Sequence, residues 1–511
     1  MEEYKIRYEI LDYNKYYSRL QQIVENPNNK FPITVHQPIG QTTCGFNIEH
    51  FSIGTGPMHI VYMGCAHGNE IISTDYVTQL MENIATSRGA YESFDPTQFT
   101  LDFIPCQNPE GFFTTTYALN SLMGKMSEEE IEKFSKKYWS YYREDDYNVV
   151  SVNAIIDFFC DEFAVHEAKD ALKTLFWRVN RNKEITPLSL TAFLEKYSSV
   201  PTTAISHLVN EIWQSKLKDK QFIPSYKLHH KIFEGISFDC IPEIDEKHRR
   251  LKNALKRLYQ NNNFPIETLA NFFSNSQGVN LNDNNIYYYN ELKAKMKESR
   301  EIYANLRDNN LLKSIPGPIG APNKSLDEPF EYAPENQALF DFLEKQDKKE
   351  ENYAFFNIHG TGGLVYLYPI AEDDLSTAHT NGVTRNFTFL INNRLATEYT
   401  RETGREYEEQ TGTFNPYKTM GYPTKISGVG DLLRKKYTSS FILELSKMGG
   451  NPIAPYGDRK GNFNITMTAN MRANMKMLKT ILAIRHLYEI SYTMAYDEKG
   501  RVHYGETTRR K

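Results

Sequence analysis

The segment Gly64-Cys65-Ala66-His67-Gly68-Asn69-Glu70 sets an imidazole and a carboxylate three residues apart. It follows a short apolar run, Met58 to Gly64, and opens a helical pattern reaching Ile84, so the pair sits where a strand turns into a helix. Such a turn aims both side chains at one point beyond the carboxyl end of a sheet, where α/β sheets build their sites. Zinc in hydrolases takes three ligands of this kind and keeps a position open for water. His359 offers the third: it closes the apolar run Tyr353 to Ile358 and precedes Gly360-Thr361-Gly362-Gly363, a placement like that of His67. A zinc-bound water needs a neighbouring proton acceptor, and Glu444 qualifies. It lies in the otherwise apolar strand Phe441 to Leu445, where an unpaired charge is costly. Each residue also has a plainer reading: His67 and Glu70 as a chance or structural pair, His359 as an ordinary strand-end histidine, Glu444 as a core carboxylate paired with Arg or Lys.

The elements that must position these residues are legible in outline. Further strand-like runs occur at 100–106, 353–359, 364–368 and 437–445, and helical patterns at about 334–346 and 470–488. Strands interleaved with helices over this length predict an α/β fold, a mixed and largely parallel twisted sheet flanked by helices. The middle of the chain reads differently, with charged helical stretches, sparse strand signals and a capping-box pattern at Ser127 and Glu130. The expected organisation is a discontinuous catalytic domain, 1–114 and 278–511 with a contribution from 176–182, interrupted by mainly helical insertions at 115–175 and 183–277.

The 511 residues are 40% hydrophobic and 13% aromatic, the composition of an ordered globular chain. A net charge of −5 gives no overall attraction to nucleic acid, and the basic run Lys247 to Arg257 has helical apolar spacing at Leu251, Leu255 and Leu258, which reads as a solvated helix face. No stretch is apolar enough to span a membrane, and the polar start Met1-Glu2-Glu3-Tyr4-Lys5 has no secretory-signal pattern. Five scattered cysteines suit a reducing compartment, so a cytoplasmic location is the expectation.

Taken in order, these pieces resemble the zinc carboxypeptidases, the family of carboxypeptidase A. The family's His-x-x-Glu stands at His67 and Glu70, and its Asn-Pro-Asp/Glu-Gly at Asn108-Pro109-Glu110-Gly111. Its Trp-Arg-x-Asn-Arg stands at Trp177-Arg178-Val179-Asn180-Arg181, and its Gly-Val-x-Leu-Asn-Arg-Asn at Gly278-Val279-Asn280-Leu281-Asn282-Asp283-Asn284. The third ligand's strand matches at His359, and a tyrosine, Tyr422, precedes the glutamate of the last core strand, Glu444. The likeness runs from about residue 31 to about residue 488, outside the insertions.

The resemblance implies one Zn2+ ion on His67, Glu70 and His359, with Glu444 as general base in the hydrolysis of a peptide amide bond. It further implies Arg178 as stabiliser of the oxyanion, Asn282 as a contact to the substrate's terminal group and Tyr422 as a residue that closes over it. Asp283 departs from the family: the arginine that grips a C-terminal carboxylate is replaced by a side chain that would repel one. A similar Asn-Asp pair occurs in relatives that look like γ-D-glutamyl-diaminopimelate peptidases, whose leaving residue carries an ammonium group. The expected substrate is therefore a peptide, of cell-wall type, cut before an amine-bearing residue. Asn180-Arg181-Asn182 also matches the Asn-Arg-Asn pattern, and with Arg181 in that place the carboxylate clamp of a true carboxypeptidase would return. An aspartoacylase-like N-acyl amino-acid deacylase would share the metal site, and an inactive peptide-binding relative would share the fold without the chemistry.

Overall fold

The computed structural model describes residues 3–124, 126–127, 129–134, 149–169, 172, 186–218, 221–223, 235–262, 266–286, 288–290, 293, 322–325, 328–346, 352–367, 388–421, 439–446, 463–488, 490–491, 494–496, 502–504 and 508–509. They fall into two compact units, one of 1–125, 237–264 and 269–511, the other of 126–236 and 265–268.

The larger unit is built on an eight-stranded sheet. In chain order its strands are β1 (Ile33–Val35), β2 (Phe51–Ile53), β3 (Met58–Gly64), β4 (Phe99–Ile104), β5 (Asn352–Thr361), β6 (Leu364–Leu367), β7 (Lys418–Gly421) and β8 (Ser439–Ser446). They lie side by side in the order β1-β2-β4-β3-β5-β8-β6-β7. Four central strands, β4, β3, β5 and β8, run parallel, whereas β2 joins β4, and β6 joins β8, antiparallel. The fold is thus the expected mixed, mostly parallel sheet. Its helices are α1 (Tyr13–Val24), α2 (Ile71–Ala85), α3 (Pro109–Met123), α4 (Glu246–Asn262), α5 (Pro334–Gln346), α6 (Thr388–Thr411) and α7 (Asn464–Tyr488).

Central parallel strands are covered on both faces, which is why β3 reads as one apolar run and every one of its residues is buried. One face carries Val61, Met63, Ile104, Phe355 and Ile442, packed on Ala338, Leu339, Phe342 and Leu343 of α5. The other carries a row of rings, Phe103, Tyr62, Phe356 and Phe441, stacked across four strands at centroid separations of 5.1–5.5 Å. Tyr62 also accepts a hydrogen bond from Asn474 Nδ2 of α7 at 2.7 Å, tying that helix to the aromatic face. A one-residue slip of any strand would send its ring to the α5 side, so the row fixes the register that later matters at the strand ends.

On α4, Leu251 and Leu255 are fully buried, while Arg249 and Arg250 pair with Glu246, and Lys252 with Asp239 and Glu243. The basic run is a solvated face compensated by acids, as its apolar spacing suggests.

The smaller unit is mainly helical. Helices Val152–Phe163, Pro187–Tyr197 and Thr202–Ile212 bury Ile156, Phe159, Phe163, Leu190, Leu194, Ile205 and Val209 against one another, and Val149–Ser151 pairs in parallel with Gln221–Ile223. Ser127 and Glu130 close the capping box that their spacing suggests: Ser127 N donates to Glu130 Oε2 at 2.7 Å, and Glu130 N to Ser127 Oγ at 3.3 Å. Among the described residues no helix is long and apolar enough to cross a membrane, and none of the five cysteines forms a disulfide.

Candidate metal centre

The turn after β3 is held in an uncommon shape. Cys65 adopts φ 58°, a left-handed conformation that costs a non-glycine residue energy, and its N–H is satisfied by Ser73 Oγ at 2.9 Å. Gly68 lies so close to Gly111 that a Cβ there would come within 2.3 Å of the Gly111 carbonyl carbon. The motif Asn108-Pro109-Glu110-Gly111 explains this closeness. Asn108 caps α3 by accepting from Gly111 N at 2.9 Å, Pro109 starts the helix without wasting a donor, and Asn108 Nδ2 donates to Ala66 O at 3.3 Å. Glu110 accepts from Cys44 N at 2.7 Å and from Ser276 N at 3.0 Å. This motif is a brace between the His67 turn and the loop around Ser276.

The brace and the sheet bring three distant residues together. Glu70 Oε1 lies 3.1 Å from His67 Nδ1, and Glu70 Oε2 lies 2.8 Å from His359 Nδ1 and accepts from Gly360 N at 3.1 Å. The two imidazole rings stand 4.9 Å apart at 67°. Each residue offers one ligating atom within 4.8 Å of the others. Burial disfavours charge on these groups, but their mutual attraction prevails. Glu70 is held well below the usual carboxylate range by the two histidines, and His67 is pushed up to about 9 by Glu70, with Asp283 and Glu444 adding to it.

His67 Nε2 lies 3.1 Å from Asn280 Oδ1. That oxygen only accepts, so Nε2 carries the proton and Nδ1 is the nitrogen turned toward Glu70. An unprotonated Nδ1 facing a carboxylate demands a cation between them, either a second proton or a metal ion. Two imidazole Nδ1 atoms and a carboxylate form a donor set that fits zinc, and the Asn280 contact on the far nitrogen of His67 is the kind of outer partner that orients a ligating imidazole. Asn280 is a residue of the candidate site that sequence reasoning missed. Its position inside Gly278-Val279-Asn280-Leu281-Asn282 was the available signal.

Asn280 in turn donates from Nδ2 to Asp283 Oδ2 at 2.8 Å, and its Oδ1 accepts from Asn282 N at 3.0 Å. Asn282 and Asp283 are therefore brought within one hydrogen-bonded step of His67. Asn282 Oδ1 is buried without a hydrogen-bond partner, and burial raises the carboxyl pKa of Asp283 despite the nearby histidines. The loop bearing them is rigidly anchored: Asn284 accepts from Ala333 N at 2.8 Å and donates to Pro322 O at 2.7 Å, and Asn336 donates to Leu281 O at 2.9 Å.

Glu444 pairs with His359 in the parallel ladder of β8 and β5 and with Leu364 in the antiparallel ladder of β8 and β6. Residues opposite each other in a ladder project from one face, so the Glu444 carboxylate rises beside the His359 ring. Gly362, at φ 147°, keeps the following turn low: a Cβ on it would come within 3.3 Å of Glu444 Cβ. Arg178, Arg181 and Tyr422 lie outside the described residues, as do 176–182 as a whole.

No family model matches the chain, and no curated protein matches it. Solved structures do. Bovine thrombin-activatable fibrinolysis inhibitor, solved with a tick carboxypeptidase inhibitor, aligns at 10% identity and TM-score 0.43 over 93% of this chain and 98% of its own. Carboxypeptidase A of Helicoverpa armigera aligns at 10% and 0.36 over 92% and 74%, and a metallo-carboxypeptidase of Burkholderia cenocepacia at 10% and 0.34 over 92% and 70%. Likeness at this level carries no function across, and what the site does follows from its own side chains.

Proposed function

We propose that this chain is a zinc-dependent peptidase that hydrolyses an amide bond next to a residue bearing a positive amine. The observation that supports it most is the register of Glu444 with His359, which sets a carboxylate beside a three-donor centre of His67, Glu70 and His359. Zinc held by those three would supply a Lewis acid that polarises a carbonyl and acidifies a water.

The remaining chemistry belongs to the chain. Glu444, partly exposed at the end of an otherwise buried strand, takes the proton of the attacking water and returns it to the departing amine. Asn280 fixes the tautomer and orientation of His67. Asn282 Oδ1 and Asp283 present acceptors where a terminal group of the substrate would lie, and a buried acceptor without a donor is costly. An ammonium on the leaving residue satisfies both, whereas a carboxylate is repelled. Arg178 as oxyanion stabiliser and Tyr422 as a closing residue complete the proposed machinery.

The test is a paired assay of the parent and Glu444→Gln, with bound zinc quantified, on ordinary C-terminal peptides and on γ-D-glutamyl-diaminopimelate peptides. Cleavage of the latter alone, lost in the variant while zinc is kept, is the expected result. Trimming of ordinary C-termini would move the terminal-group clamp to Arg181. Failure to bind zinc and to cleave either class would leave a peptide-binding relative.

A further inference from the structure

A second cluster of ligating side chains lies on the α5 face of the sheet, toward the opposite end of the strands. Asp102 of β4 faces Ser52 of β2 and Val61 of β3 in register. His50 lies two residues before Ser52 and His59 two before Val61, so alternation puts both on the same face as Asp102. His36 follows β1, and its N–H donates to His50 O at 3.1 Å. The ends of β1 and β2 together with β4 thus deliver two imidazoles and one carboxylate to one spot, with His59 of β3 close by. Along β3 the cluster is roughly 15–20 Å from the His67 turn, at about 3.3 Å per residue.

The contacts within the cluster are close. His50 Nε2 lies 2.8 Å from Asp102 Oδ1, and the His36 and His50 rings stack at 4.3 Å and 18°. His36, His50 and Asp102 each bring one ligating atom within 4.8 Å of the others. His36 Nε2 is 2.7 Å from Ser52 Oγ. A separate observation concerns His59. Its Nδ1 lies 3.6 Å from Asp102 Oδ2, and both atoms are buried without a hydrogen-bond partner, on side chains whose residues are only 8% and 3% exposed. His59 thus approaches the second oxygen of the carboxylate whose first oxygen faces His50, and it stands beside the three converging residues. Phe342 of α5 stands edge-on to His50 at 4.8 Å and shields it.

We propose that His36, His50 and Asp102, with His59 beside them, form a second metal site, structural rather than catalytic, for a divalent ion of the zinc class. Imidazole nitrogens with one carboxylate match that class, whereas calcium and magnesium demand oxygen-rich shells. Neutral imidazole is the form in which a histidine ligates such an ion. An ion held by His36, His50 and Asp102 would staple the short strands β1 and β2 to β4.

The test counts metal in the full-length chain after dialysis against zinc. The parent is expected to hold two ions, His36→Gln one, the double variant His67→Gln/His359→Gln one, and the triple variant none. His36 is only half-buried, so its replacement leaves the core intact. Thermal unfolding supplies a second readout: zinc should raise the Tm of the double variant, and the rise should vanish when His36→Gln is added. One ion lost with His36→Gln, not with the double variant, would support this site and sink the catalytic one. One ion lost only with the double variant, two ions unaffected by His36→Gln, or no ion at all would overturn the proposal.

Discussion

Glu444 stands directly opposite His359 in the parallel pairing of β8 with β5, while the His359 ring reaches Glu70 Oε2 at 2.8 Å. Backbone hydrogen bonds of the sheet, rather than a flexible loop, therefore set the distance between the candidate base and the candidate metal centre.

Replacement of Glu444 should separate binding from turnover. Glu444→Gln keeps the size and the strand and is expected to retain one zinc at the first centre with a loss of about 10²–10⁴ in rate. Metal analysis beside a peptide-cleavage assay reads both quantities.

Asn280→Ala leaves His67 Nε2 without its acceptor at 3.1 Å. Zinc affinity at the centre should fall about 10–100-fold, measured by competition with a chromophoric chelator.

His67 is pushed up to about 9, so in the metal-free chain its ring carries two protons at neutral pH. Its raised value stabilises the metal-free fold fully below about 6.5, and that contribution is lost as pH rises through about 9. Zinc must displace that proton. Calorimetric titration at pH 7.5 in buffers of different ionisation enthalpy should report release of about one proton, diminishing above pH 9.

Glu335, fully buried, is pushed up to about 8 by burial and by the charge of Glu110. The folded chain holds this proton where an unfolded one has released it, so stability contributed here falls as pH rises from about 4.5 toward 8. Glu335→Gln keeps an acceptor for Asn275 Nδ2 and should raise Tm at pH 8 but not at pH 4 to 5, flattening the dependence between them.

Gly68→Ala would press its methyl into the backbone of Gly111, which has no side-chain end to swing away. A loss of about 1–3 kcal/mol in stability is expected, with weakened zinc binding because the His67 turn must shift. Chemical denaturation and metal titration of the same preparation check both.

The central strands were legible because a strand covered on both faces must be continuously apolar: the runs at 58–64 and 353–359 recur as β3 and β5. The short strands β1, β2 and β7 escaped: Ile33–Val35 and Phe51–Ile53 are three residues each, and Lys418-Thr419-Met420-Gly421 holds a single apolar side chain, unlike Leu364–Leu367 of β6. His67, Glu70, His359 and Glu444 could be read from their places at strand ends. Asn280 could not, because an asparagine in a loop more often bonds its own backbone, and nothing in its type announces a partner 213 residues away. The His36, His50, His59 and Asp102 cluster escaped for a related reason. Its members lie on or beside four strands whose pairing is invisible until the sheet order is known.

That sheet order also sets a timetable. Glu70 and His359 meet across 289 positions of chain, and Glu444 comes later still. Domains fold as units during synthesis, and contacts this distant wait for the whole intervening chain. The first centre therefore cannot exist until His359 has been made, and any ion it acquires must come to a chain whose β3 and β4 are long since synthesised.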